Sequence, residues 1–179
     1  MPERADPKIL RVMIIGHQPA TLEKEGDKNT GNNEVVIEAI HRNIKWLLHR
    51  SSNKIHGISG MAFGPDQSFA RICVELSIPF TAALPFDNFL NTKEYRYLLS
   101  MAEKVVFVSP GPYAGWKYAA RNRWMVDNSD IAIMIYDPRI TKGEVFQTRA
   151  TLEEKKKPII WIKPGIQPKT TLIRTGKIL

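Results

Sequence analysis

The chain has 179 residues, 43% of them hydrophobic, and a formal net charge of +8. That length supports one domain with a core large enough to stand without staples, and the single cysteine, Cys73, excludes an intramolecular disulfide and points to a reducing compartment. No segment approaches the roughly 20 apolar residues that span a bilayer, and the polar first residues hold no apolar signal region, so a soluble, cytoplasmic protein without a membrane partner is expected.

The hydrophobic pattern alternates between short β-branched runs and longer helical stripes. A first strand is predicted at 12–15. It is followed by Gly16-His17-Gln18-Pro19 and a polar stretch through Asn33, which is long for such a connection and can close over a ligand. Val35, Ile37, Ile40, Ile44, Leu47 and Leu48 supply the buried stripe of a helix at 34–49. A strand at 55–58 runs into a helix at 66–77, whose apolar face holds Phe69, Ala70, Cys73, Val74 and Leu76. Further strands are predicted at 80–84, 105–108, 131–136 and 159–162, with helices at 92–101, 118–128 and 144–154 between them. Strands apolar on both faces that alternate with helices predict a three-layer, Rossmann-like α/β fold, its mostly parallel sheet covered by helices on both faces. Residues 1–163 are expected to form this single domain and residues 164–179 a basic C-terminal tail.

The charge is unevenly spread. Residues 155–179 carry seven basic residues and no acidic one, which leaves residues 1–154 close to neutral. Pro164, Gly165 and Pro168 argue against a continuous helix there. The tail is expected as a solvated end able to touch phosphates or an acidic partner, while a near-neutral body tells against a broad nucleic-acid footprint.

In a sheet of this kind, ligands bind beyond the carboxyl ends of the strands. The turn after the second strand, Ser59-Gly60-Met61-Ala62-Phe63-Gly64-Pro65-Asp66, has the grammar of a phosphate-binding corner. Glycines allow close backbone approach, proline suits a first helical turn, and the amides that follow can face an anion. Ser59 serves equally as a turn hydroxyl and Asp66 as a partner of its helix's own amides. Arg121 can clamp a phosphate or carboxylate with its planar fork, and the neighbouring Asn122 favours a polar pocket over a plain surface helix. Asp127 and Asp130 can orient Arg121 or a ribose hydroxyl, or cap the turn before the next strand. Tyr113, Trp116 and Tyr118 can stack on a base or pack the loop that carries them. His17 lies in a loop that faces the binding edge and is a lone candidate for acid–base work. The four histidines form no tight group with a cysteine or carboxylate, so neither a metal nor a cofactor is expected.

The Gly-His-Gln-Pro run, Ser-Gly-Met-Ala-Phe-Gly-Pro-Asp-Gln at 59–67, Ile-Pro followed by Leu-Pro-Phe at 78–86, Tyr113 with Tyr118, and Arg-Asn-Arg-Trp-Met-Val-Asp at 121–127 occur in one order. Together they resemble the YpsA and YspA branch of the SLOG superfamily, from Met13 to about Ile162. That superfamily includes the DNA-processing protein DprA and the LOG enzymes, which cleave a nucleotide's N-glycosidic bond. The resemblance implies a Rossmann-like pocket for a nucleotide or nucleotide-derived ligand. It also exposes departures. Gln18 stands where the family commonly has arginine, Lys142-Gly143-Glu144 replaces a Gly-Gly-Thr turn, and Phe146 occupies the position of the LOG glutamate.

Three functions follow as expectations. The first is binding of a nucleotide-derived small molecule through Gly16, His17, Ser59, Gly60, Met61, Ala62, Asp66, Arg121, Asn122 and Gly143. The second is hydrolysis of a nucleotide N-glycosidic bond by Glu144 with Arg121, although a carboxylate that opens a helix is also explained by the helix dipole. The third is a nucleic-acid-binding module using the basic tail. Absence of the matched glutamate favours the binder, and the residues leave a homo-oligomer open.

Overall fold

The computed structural model describes residues 8–18, 34–52, 54–165 and 169–173. Twelve elements run in the order β1 (Leu10–Gly16), α1 (Glu34–Arg50), β2 (Ile55–Ser59), α2 (Pro65–Glu75), β3 (Phe80–Leu84), α3 (Lys93–Met101), β4 (Lys104–Phe107), α4 (Trp116–Asp127), β5 (Ile131–Ile135), α5 (Glu144–Glu154), β6 (Ile159–Lys163) and β7 (Lys169–Ile173). The six strands and five helices read from the pattern are all present, with ends shifted by a few residues. The long segment predicted to follow Gln18 lies outside the described residues.

The seven strands form one sheet in the order β4-β3-β2-β1-β5-β6-β7. All neighbours are parallel except β6 and β7. From β1 the chain builds outward to β4, then returns to the other side of β1 to lay down β5. The switch point therefore falls between the carboxyl ends of β1 and β5, where Gly16 is in register with Ile135. A crevice opens there because the connections on its two sides leave in opposite directions.

Strand pleating sorts the core into two layers. Val12 and Ile14 of β1 pack with Ile40 and Ile44 of α1, Phe69 of α2 and Leu98 of α3. Met13 and Ile15 face the other way, onto Met125 of α4 and Leu152 of α5. Helix ends follow local chemistry. The Thr92 hydroxyl accepts from Tyr95 N at 3.1 Å to start α3. Helix α2 stops at Glu75, short of the predicted 77, because Ser77 adopts a left-handed φ of 54° and Ile78 N returns to Cys73 O.

Two features depart from expectation. Strand β4 is the sheet's edge, and Lys104, Val105 and Phe107 are exposed instead of covered on both faces. Within the stretch read as a solvated tail, Lys169–Ile173 adds an antiparallel strand to β6 in the register Ile160↔Leu172. Leu172 packs against one core layer and Ile173 against the other, so the alternation of these two side chains explains the pairing.

Candidate functional site

At the switch point the protein has a cavity of about 310 Å³, lined by residues from β1, the β2–α2 turn, α4 and the β5–α5 loop. Gly16, His17, Ala62, Asp66, Arg121, Asn122, Gly143 and Glu144 line it together. The segments that carry them are up to 128 residues apart in sequence, so their convergence is a product of the topology. Ser59, Gly60 and Met61 are not among the lining residues. They form the inner layer of the turn, beneath it.

That inner layer is tightly bonded. Ser59 is fully buried, its hydroxyl donating to Asp66 O at 2.8 Å and accepting from Met61 N at 3.1 Å. Met61 is buried with a φ of 61°, and Gln67 Nε2 donates to its carbonyl at 3.1 Å. A non-glycine residue held in the left-handed region by bonds on both sides is a locally strained, pre-formed corner. Gly16 is small for a packing reason, since a Cβ there would lie 2.9 Å from Pro65 Cγ and 3.0 Å from Ile135 Cβ.

Arg121 crosses from α4 to this corner. It is 3% exposed, its Nη1 donates to Gly60 O at 2.7 Å, and its Nε donates to Asn122 Oδ1 at 3.0 Å. The guanidinium also lies over the rings of Phe89 and Tyr118, at 5.9 and 5.8 Å. A Cβ on Gly60 would come within 2.8 Å of both Arg121 Nη1 and Asp66 Oδ2. The missing side chain of Gly60 thus makes room for the arginine and the aspartate, not only for a ligand.

Burial dominates the electrostatics. Asp66 is 3% exposed, and desolvation pushes its carboxyl up to about 6, opposed by Arg121 and by the Ala62 N–H. The same desolvation lowers Arg121, which Asp66 and Glu144 partly offset. Glu144, half-buried in the first turn of α5, is raised by desolvation and pulled back by Arg121. Gly143 before it has a φ of 93° and nothing within 4 Å of its would-be Cβ, which leaves the helix start open to the cavity.

His17 is 4% exposed, and desolvation lowers its pKa despite the Asp137 carboxylate and a hydrogen bond to the Asp137 backbone. Its ring lies 5.3 Å from that of Tyr136. The loop beneath is fixed by Tyr136 OH donating to Ile140 O at 3.0 Å and by Arg139, whose Nε and N both donate to Asp137 Oδ1. Two buried side-chain atoms here have no hydrogen-bond partner among the described residues, His17 Nε2 and Asn122 Nδ2. Both residues line the cavity. Such atoms are rare in folded proteins and ask for an explanation.

Several other expected participants are elsewhere. Asp130 is engaged by Arg11 N and side chain, and Asp127 pairs with Lys155, both near the amino ends of the strands. Tyr113 and Tyr118 join Phe86 and Phe89 in an edge-to-face cluster, which packs the loop after β4, while Trp116 is 64% exposed. Phe146 sits on α5, 38% exposed, and not among the residues that line the cavity. Ile15, Ile140 and Val145 add apolar wall that the sequence reading did not single out, because a hydrophobic residue at a strand or loop end carries no signal of its own. Among the described residues no group of three His, Cys, Asp or Glu is placed to hold a metal, and no helix is long and apolar enough to cross a membrane.

Comparison with known proteins supports the same architecture. DNA processing protein A (DprA) from Streptococcus pneumoniae superposes with a TM-score of 0.68 at 16% identity over 88% of this chain and 52% of that one. DNA processing protein A from Helicobacter pylori, studied for its single-stranded DNA binding mode, gives a TM-score of 0.57 at 18% identity over 89% of this chain and 68% of that one. TM1055, a structural-genomics target, gives 0.52 at 14% identity over 85% and 73%. This chain spans about half the length of the S. pneumoniae protein, and at these identities the likeness establishes the fold. No curated protein matches the sequence. The model of the YspA SLOG family matches residues 12–164, and with the doubly wound sheet and the glycine corner in place the chain belongs to that family.

Proposed function

We propose that this protein binds a nucleotide or nucleotide-derived small molecule in the cavity at the β1/β5 switch point. The observation that carries this reading is the pair of unsatisfied buried atoms, His17 Nε2 and Asn122 Nδ2, in two residues that line one cavity. A folded protein tolerates such atoms where a ligand supplies the missing bonds. The apolar wall and the few convergent polar groups suit a small organic ligand. Membership of the SLOG family points to a nucleotide. Mass spectrometry of small molecules released from the purified protein, followed by calorimetry with a panel of nucleotides, tests the reading. A retained nucleotide derivative that rebinds with one-to-one stoichiometry supports it, and no retained molecule together with no binding across the panel overturns it.

A second reading, hydrolysis of a nucleotide N-glycosidic bond, is favoured by Glu144, a half-buried carboxylate with a raised pKa on the same cavity as Arg121. The absence of a carboxylate at position 146 ranks it below binding. The third, nucleic-acid binding, draws on the single-stranded DNA binding of the H. pylori relative and on the cations of the C-terminal stretch.

A further inference from the structure

Strand β4 ends the sheet, and its hydrogen bonding shows which backbone groups are left over. Val108 N donates to Leu84 O at 2.9 Å. Successive residues of a strand turn their backbone groups to opposite sides, so the N–H and C=O of Val105 and Phe107 point away from β3 into solvent. The register Ala82↔Val105 and Leu84↔Phe107 puts these two side chains on the face of Ala82 and Leu84, which is the face that α3 covers with Tyr95 and Leu98. There Val105 is 36% and Phe107 43% exposed, and α3, which leads directly into β4, exposes Tyr97 by 51% and Met101 by 48%, one turn apart. The opposite edge differs. On β7 the exposed residues are Lys169, Thr170 and Thr171. Polar and charged residues on an edge discourage pairing, whereas valine and phenylalanine beside unpaired ladder groups invite it.

We infer that β4 is the pairing edge of a homodimer, in which β4 of a second copy adds antiparallel to β4 of the first and the two sheets become one. A second copy meets each demand of this edge. It brings a strand with the same outward residues, and a two-fold axis perpendicular to the sheet keeps both α3 helices on one face, where Tyr97 and Met101 carry the apolar strip across the junction. Symmetry also selects the register, because residues directly opposite must share a face. Centring the pair on Lys104 sets two ammonium groups face to face, and centring it on Val105 sets Glu103 opposite Phe107. Centring it on Phe107 leaves Val105 opposite Ser109, past the end of the strand. Centred on Val106, Val105 of each copy lies opposite Phe107 of the other. Both outward residues then exchange backbone bonds, and each pair is an aromatic set against a β-branched side chain. Lys104 falls at the end of this ladder, opposite Val108, where its ammonium stays in water. Glu103 and Lys104 cancel at the edge, while the basic stretch at 155–179 belongs to the far end of the sheet. This interface stands whatever the cavity binds.

Sedimentation velocity on the full chain from about 1 to 100 µM covers affinities on either side of the micromolar scale. A species of twice the 20.4 kDa chain mass is expected to grow with concentration. Val105→Lys and Phe107→Lys are each expected to weaken it by about tenfold or more, through loss of the cross-strand pair and burial of a charge. Thr171→Lys, which adds the same charge to the β7 edge, is expected to leave it unchanged. These positions are exposed, so the variants are expected to keep the wild-type circular dichroism. Cys73 is buried, which lets introduced thiols report alone. A mixture of Val105→Cys and Phe107→Cys proteins is expected to form a disulfide-linked heterodimer in air, since the Cα atoms of a hydrogen-bonded pair lie about 5.5 Å apart. Either protein alone holds its thiols on a diagonal of about 7–8 Å and is expected to cross-link little. A monomer across the whole range overturns the inference, whatever else the edge then binds. A dimer that withstands both lysine variants, or that cross-links through either protein alone and not through the mixture, overturns it as well.

Discussion

Arg121 Nη1 donates to the carbonyl of Gly60 at 2.7 Å across 61 positions of sequence, and the space it occupies is the space a side chain on Gly60 would fill. The glycine corner and the arginine of α4 are one unit. A change in either is felt by the other, and by Asp66 and Asn122, which touch the same guanidinium or its surroundings.

Gly60→Ala is expected to destabilise the protein by about 1–3 kcal/mol. Its Cβ would sit 2.8 Å from Arg121 Nη1 and from Asp66 Oδ2, so both buried groups must move. Gly60 does not have a left-handed φ, so the cost is steric and a larger Gly60→Val should cost more. Urea unfolding of the three proteins checks the order, and equal midpoints would show that the corner relaxes freely.

Arg121→Lys keeps a cation but cannot reach Gly60 O and Asn122 Oδ1 as a rigid fork does. At least one buried acceptor loses its partner, which costs about 1–3 kcal/mol of stability. Ligand affinity should fall with it, since Asn122 is no longer held. Chemical denaturation and calorimetry together check this; a lysine variant matching wild type in both would assign Arg121 no structural part in the site.

Asp66 gives the pH dependence. Burial pushes its carboxyl up to about 6, above the ordinary aspartate value of 3.8. A carboxyl whose folded pKa lies above the unfolded one favours the folded state fully below the unfolded value, and that contribution is lost as pH rises through the folded value. The stability of wild type relative to Asp66→Asn is therefore expected to fall by on the order of 3 kcal/mol between about pH 4 and pH 7. His17 and His56, both lowered mainly by burial, are present in both proteins and cancel in the comparison. A difference that stays flat across the window would mean that Asp66 is not desolvated in solution.

Glu144→Gln separates binder from hydrolase. For a binder, no free base appears from any nucleoside monophosphate, and the variant changes affinity only modestly through local charge. For a hydrolase, the carboxylate must act as nucleophile or water-activating base, and its amide abolishes turnover while affinity survives. Chromatographic detection of free base decides, and the binding outcome is the expected one.

Removal of residues 164–179 is expected to lower stability by about 2–4 kcal/mol, as Leu172 and Ile173 leave both core layers and β6 becomes an edge. Thermal unfolding checks it. An unchanged melting temperature would return this stretch to the role of a solvated tail.

What the sequence by itself determined is what local periodicity encodes. The alternation Val12, Met13, Ile14, Ile15 names a strand buried on both faces, and stripes such as Ile40, Ile44 and Leu47 name helices that cover it, so a parallel, two-sided sheet follows before any contact is known. The edge that carries the cavity was legible for the same reason, because strand-to-helix loops of such a sheet share one side. Only the tertiary structure decided which residues of those loops face the cavity. Ser59, Gly60 and Met61 turn inward because Asp66, Gln67 and Arg121 take up their polar atoms and fill the space beside the glycine, and Arg121 reaches them from a helix 61 residues away. Long-range partners of this kind leave no trace in spacing or composition. The strand at Lys169–Ile173 was hidden likewise, since it exists only where the β6 edge offers a ladder and two core layers receive Leu172 and Ile173.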